Sequence, residues 1–304
     1  MSTWSLSNGL SGEKWQWPVD RQVYLLLDGV RVKQLARRLY EWSAEHPLDA
    51  DLLYAGTPLA EVSDVSPWLV ALPDTHHPVL QAFLAQGLED EWGYLLESQS
   101  SLEHLGNHLR QLLQVRHPSG VAMWLRVADP AIIAALLSDQ SNPAMIPWGP
   151  IDCLIRPDAV AEEWVKSSPA QGASELPAAI PHHGYLLNEA QLNRLQACDK
   201  RRDIRALLHF VAKHCPALPL PVKQRERYER LAALTESARG YGFNNPRQWG
   251  LLCTLFSRER CNSWAALSGQ APKLHTCLTN TAEASVSARL KTAFAITSTY
   301  SETT

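Results

Sequence analysis

A chain of 304 residues with 45% hydrophobic and 19% charged residues has the composition of an ordinary folded protein, with material for one large domain or two modest ones. No apolar run approaches the roughly 18 residues that a membrane-crossing helix needs, and residues 1–18 show no basic region followed by an apolar core, so a soluble, cytoplasmic protein without a signal peptide is expected. The formal net charge of −3 hides an asymmetry, because residues 1–160 hold 10 Lys and Arg against 19 Asp and Glu while residues 187–260 hold 14 against 7.

Residues 1–20 read as an N-terminal arm with Trp4, Trp15 and Trp17 as anchors. Val23 to Leu27 reads as a strand ending at Asp28-Gly29, followed by a helix whose Leu35, Leu39 and Trp42 share one side. Asp51 to Ala55, Pro67 to Leu72 and Trp92 to Leu96 are further strands, with a helix over 78–88 between the last two. Ser101 caps a helix with Leu102, Leu105, Leu109, Leu112 and Leu113 in one stripe. Val121 to Val127 has the apolar texture of a strand buried on both faces, deep in a sheet. Asp129 then serves as N-cap and Pro130 as first residue of a helix carrying Ile132, Ile133, Leu136 and Leu137. With a sixth strand at Ile151 to Ile155, this alternation predicts an α/β domain over 21–160, its sheet mixed but mostly parallel and flanked by helices.

Pro and Gly recur over 161–186 and predict a linker. Beyond it, helical periodicity over 188–215, 223–240 (with Gly240 as the stop), 247–256 and 281–296 predicts an all-helical lobe spanning 187–304.

Chemistry is hard to place. Six Cys occur with no Cys-x-x-Cys pair, so they read as reduced structural thiols, and His104 and His108 stand four apart without the Glu of a zinc-protease motif. No phosphate loop, nucleophile elbow or dinucleotide fingerprint is present, and no metal or cofactor is implied. Arg126 beside Asp129 reads as a structural ion pair rather than a catalytic one, and Asp28 as a turn residue. The enzymatic alternative is a hydrolase- or transferase-type centre using Asp28, Arg126 and Asp129. A weaker one is nucleic-acid binding through the basic helices of 194–230, whose interleaved acids favour a solvated, salt-bridged face. Trp68, Trp92 and Trp124 read as core.

An ordered set of segments carries a resemblance. It runs Tyr24-Leu25-Leu26-Leu27-Asp28, Leu53-Tyr54-Ala55-Gly56-Thr57-Pro58-Leu59, Pro67-Trp68-Leu69-Val70, Trp92-Gly93-Tyr94-Leu95-Leu96-Glu97-Ser98, His108-Leu109-Arg110, Leu125-Arg126-Val127-Ala128-Asp129-Pro130 and Gly149-Pro150-Ile151. In this order, over residues 22–156, the chain resembles the domain of unknown function 4123 family of effector chaperones or adaptors of bacterial type VI secretion. Ala238-Arg239-Gly240-Tyr241-Gly242-Phe243 is similar to a turn that many relatives carry between helices, and Ala131 departs from the Arg that relatives often hold after Asp-Pro. The resemblance implies a non-enzymatic protein without cofactor that binds a toxic effector, at its N-terminal region or its membrane-inserting helices. It further implies loading of that effector onto the VgrG spike, with neither nucleic acid nor membrane as partner. Effector contacts are expected at Leu192, Leu195, Tyr241, Phe243 and Asn245, and a structural role for Arg126, Asp129 and Pro130.

Overall fold

The computed structural model describes residues 16–44, 46–137, 148–169, 184–282 and 284–301, the last four by backbone alone. Trp4 and Trp15 of the N-terminal arm, and residues 170–183 of the linker, lie outside the described residues. The chain divides into two compact units, residues 1–198 and 199–304.

In chain order the first unit runs β1 (Gln22–Leu27), α1 (Leu35–Ser43), β2 (Ala50–Leu52), β3 (Trp68–Leu72), α2 (Pro78–Gln86), β4 (Gly93–Ser98) and α3 (Leu102–Leu112). It continues with β5 (Gln114–Arg116), β6 (Ala122–Trp124), α4 (Pro130–Leu137), β7 (Cys153–Asp158), β8 (Glu163–Ser167) and β9 (Tyr185–Leu186). The main sheet has six strands in the order β2-β3-β1-β4-β7-β8, and β1 sits between its partners β3 and β4. Side chains alternate along β1. Tyr24 and Leu26 enter a core with Leu105, Leu109, Ile133 and Leu136 of α3 and α4, whereas Val23, Leu25 and Leu27 enter one with Leu35, Leu39, Val79 and Phe83 of α1 and α2.

The expectation of a mostly parallel sheet is corrected, since every ladder of the main sheet is antiparallel. Helices cover both faces, so the inner strands β1 and β3 read as apolar runs over Val23–Leu27 and Trp68–Leu72, the texture usual for parallel strands. Composition carries burial but not direction. A second correction concerns 121–127. Only Ala122–Trp124 is strand, it belongs to a separate sheet ordered β6-β5-β9, and it stands at that sheet's edge. A third is β8, which lies inside the segment read as linker and pairs antiparallel with β7.

The long helix α5 (Glu189–His214) contains the boundary between the two units. The second unit then holds α6 (Gln224–Gly240), α7 (Pro246–Arg258), α8 (Trp264–Gln270), α9 (Pro272–Thr279) and α10 (Val286–Ser301). Its core gathers Leu207, Leu234, Phe243, Trp249, Phe256, Trp264 and Leu274. At the end of α6, Phe243 N–H donates to Ala238 O at 3.1 Å and Gly242 N–H to Arg239 O at 2.9 Å. That paired pattern is a Schellman motif with Gly242, φ +86°, in the left-handed position and Phe243 packed on Ala238. The stop is therefore Gly242, not Gly240. Gly242→Ala should cost about 1–2 kcal/mol, the left-handed penalty, whereas Gly240→Ala should leave the thermal midpoint within a degree or two; equal losses would refute the assignment.

His77 precedes Pro78 at the start of α2 and is buried, its Nδ1 without a hydrogen-bond partner. Burial pushes its pKa below the ordinary 6.5, against the opposing pull of a backbone bond at Pro47. A group whose folded pKa is lowered takes its proton preferentially in the unfolded chain. Its contribution is therefore intact above the unfolded value and declines as pH falls through it. Urea midpoints at pH 7.5 and 5.5 should differ less in His77→Gln than in the parent; an unchanged difference would show that other groups carry the acid sensitivity.

Candidate functional site

The residues that mark the sequence meet at one corner of the first unit. β1 ends at Asp28, whose Oδ1 accepts Val30 N–H at 2.8 Å and whose carbonyl accepts Arg31 and Val32 N–H. The other carboxylate oxygen is held by the Arg126 guanidinium. Asp129 caps α4, with Oδ1 accepting Ala131 N–H at 3.0 Å and Ile132 N–H at 3.4 Å. Its Oδ2 lies 3.6 Å from Arg31 Nη2. Arg126 thus pairs with Asp28 rather than with its sequence neighbour Asp129, which it meets only through a backbone bond from Asp129 N–H to its carbonyl. Two carboxylates and two guanidiniums leave the corner neutral.

Tyr94 completes it from β4, fully buried, its hydroxyl donating to Val127 O at 2.6 Å. Burial raises its pKa well above 10, and Asp129 and Asp28 add to the effect. Burial and Asp28 also raise Tyr54, against Arg126. Both phenols therefore stay protonated at neutral pH. The hydrolase- or transferase-type reading called for carboxylates facing a substrate. Asp28 and Asp129 are instead almost wholly buried, each spent on a guanidinium and backbone N–H groups.

A second brace uses other marker segments. Arg110 Nη2 bonds Asp51 Oδ1 at 2.5 Å and Leu52 O at 3.2 Å, tying α3 to β2. The His108 ring packs on Gly149, φ +50°, where a Cβ would stand 2.3 Å from its Cε1. Ser98 Oγ donates to Pro150 O at 2.6 Å. The ordered segments are therefore contacts of one scaffold, with the His108 ring packed against Gly149.

The thiols are muted. Burial pushes Cys153 and Cys261 up to about 11 and Cys253 up to about 12, so all three remain protonated at neutral pH. Among the described residues no group of three or more His, Cys, Asp or Glu is placed to hold a metal ion, and no helix is long and apolar enough to cross a membrane.

The expected effector contacts scatter. Leu192 and Leu195 are partly buried against the core of the first unit. Tyr241 is half-buried with its ring 4.8 Å from Trp264, and Asn245 caps α7 by accepting Gln248 N–H at 3.0 Å. Phe243 is fully buried, so that expectation is corrected: as the apolar residue of the Schellman motif it has no surface to offer a partner. Trp124, read as core, is corrected too, being 47% exposed. Val121, just before the same strand, and Leu186, on β9 across the sheet, are also exposed. What sequence reasoning missed is this outer face of the small sheet, although the apolar run without Lys or Pro at an edge was a signal for it.

Residues 23–145 match the family described as Domain of unknown function (DUF4123). Over 122 residues the chain is 36% identical to "Accessory protein VasW" of Vibrio cholerae serotype O1, a match covering 40% of this chain and 39% of that protein. The matched part is thus well under half of that relative's length. No solved structure matches the chain. The DUF4123 segment contains both charged braces, from Asp28 and Asp51 to Arg110, Arg126 and Asp129.

Proposed function

We propose that this chain is an adaptor of bacterial type VI secretion that binds a toxic effector, keeps it soluble and hands it to the VgrG spike protein. The observation that carries this reading is the match of residues 23–145 to the DUF4123 family, together with 36% identity over 122 residues to an accessory protein. Two features support it. The most distinctive charged groups of that segment are used up in bracing the scaffold, which fits a protein that presents surfaces rather than performing a reaction. The surface also offers exposed apolar side chains at Trp124 of β6 and Leu186 of β9. The effector region bound is its N-terminal part or its membrane-inserting helices, the latter needing apolar cover before delivery. Leu192, Leu195, Tyr241 and Asn245 retain enough surface to take part. The role needs no cofactor, and it belongs in the cytoplasm, where effectors are made.

Co-expression with the effector encoded beside its gene should give a 1:1 complex by light scattering and move the effector from the pellet to the soluble fraction. Failure of both effector and VgrG to co-purify would overturn the proposal.

A further inference from the structure

The sheet β6-β5-β9 has two unlike faces. Val115 and Tyr185 point into the core with Met123 beside them, while Ala122, Trp124, Gln114, Arg116 and Leu186 point the other way. The register puts Ala122, Arg116 and Leu186 in one row across the three strands, with Trp124 opposite Gln114. Trp124 and Leu186 expose 47% and 46% of their surface.

The edge is as informative as the face. Leu125 N–H bonds Leu113 O and His117 N–H bonds Val121 O, both at 2.8 Å, flanking the β5–β6 ladder. Bonded residues alternate in an antiparallel ladder, so this parity turns the N–H and C=O of Ala122 and Trp124 away from β5. Among the described residues none of those four groups has a partner. Edge strands are ordinarily blunted by Lys, Pro or a bulge, yet Gly120 to Leu125 contains no charge and no proline.

Charge selects the occupant. The first unit, residues 1–198, carries 12 Lys and Arg against 23 Asp and Glu, but no carboxylate occurs between Glu103 and Asp129. Arg116, central on the exposed face, reaches only Gly120 O at 3.3–3.4 Å and no carboxylate among the described residues. A second copy pairing edge to edge would bring the same acid-free segment and supply no counter-charge. A helix laid on the face would leave the four outward main-chain groups unmatched.

The geometry points to an extended partner segment that adds to β6 as a fourth strand, its aliphatic side chains against Trp124 and a carboxylate directed at Arg116 on the neighbouring β5. The inference deepens the adaptor reading and takes from it that this partner is the effector. Main-chain bonds to Ala122 and Trp124 supply affinity, while the Trp124 ring and Arg116 supply selectivity.

Ala122→Pro removes one outward N–H and no bond to β5, so the variant keeps its fold and loses the docking edge. In the full chain it should weaken binding of the effector encoded beside the gene about tenfold, the size expected for one or two lost hydrogen bonds, with an unchanged thermal midpoint. Arg116→Glu should do the same. By hydrogen exchange, the Ala122 and Trp124 amides should exchange fast in the free chain and slowly in the complex. A ten-residue peptide alternating Val and Glu should slow the same two amides, and its Val and Lys counterpart should not. Parent-like effector binding by Ala122→Pro overturns the inference and leaves the adaptor reading standing. If the parent chain binds no effector, the adaptor reading falls, and the Val and Glu peptide alone then decides the docking edge. Amides already slow in the free chain would show cover by this chain itself, and slowing only at high concentration would show a second copy; either overturns the inference.

Discussion

Arg126→Met should lower stability by about 3–5 kcal/mol, the range for removing one partner of a buried ion pair, read as a lower urea midpoint at unchanged slope. The loss comes less from the bond given up than from what it leaves behind. Asp28 has a side chain only 3% exposed, and its second carboxylate oxygen has the Arg126 guanidinium as its partner. Met fills the stem's volume but leaves the Asp28 carboxylate buried without its counter-charge. Asp28→Asn in the same chain removes that charge and still offers an oxygen to Val30 N–H. The double variant should therefore recover a large part of the loss, giving a coupling of about 1–3 kcal/mol. Arg126 keeps roughly a third of its side chain in solvent, so water screens part of the pair. A single-variant loss under about 1 kcal/mol would place the corner among surface pairs of small worth. Partner affinity per folded molecule should not change, because the corner braces the scaffold and is not itself a binding surface.

That partner choice marks where sequence reading stopped. Asp129-Pro130 as a helix start and Ser101 as a cap are local signals, and the chain bears both out, with Ser101 Oγ accepting His104 N–H at 3.3 Å. β1, β3 and β4 were legible as apolar runs. Asp28 and Arg126 are 98 residues apart, so nothing in either segment announces the other, while Asp129 three residues away was the available guess. Strand direction was hidden because burial on two faces produces one texture for either polarity. β8 carries Trp164 and Val165 between Glu163 and Lys166, the mixed pattern of a strand with one neighbour, and follows a proline-bearing strand. α8 and α9 have 7 and 8 residues, shorter than the window over which helical periodicity declares itself. In the candidate site, the scaffold residues were legible because they form an ordered motif set. The docking edge was not, because Val121 to Val127 reads as buried until the short strand within it is found at an edge.

Gly93→Ala should be the most damaging single methyl in the first unit, costing on the order of 3 kcal/mol or more, at or beyond the upper end for overpacked cores. Gly93 opens β4 opposite Leu27 of β1, and a Cβ there would lie 1.9 Å from Leu26 O and 2.9 Å from Leu26 C. Those atoms are backbone, so no rotamer change relieves the overlap. β1 also cannot step aside, since β3 holds its other edge and helices pack on both faces. Relief must come from parting β1 and β4, which withdraws Tyr94 from Val127 O and disturbs the corner at Asp28. Gly269→Ala is the matched control. It lies in α8 with nothing within 4 Å of its would-be Cβ and an ordinary helical φ, and should stabilise by about 0.5–1 kcal/mol through helix propensity. The same chemical change is thus expected to carry opposite signs at two positions, read from urea midpoints of the purified variants. A Gly93→Ala chain as stable as the parent would show that β1 and β4 stand farther apart than this register requires, and with them the corner at Asp28.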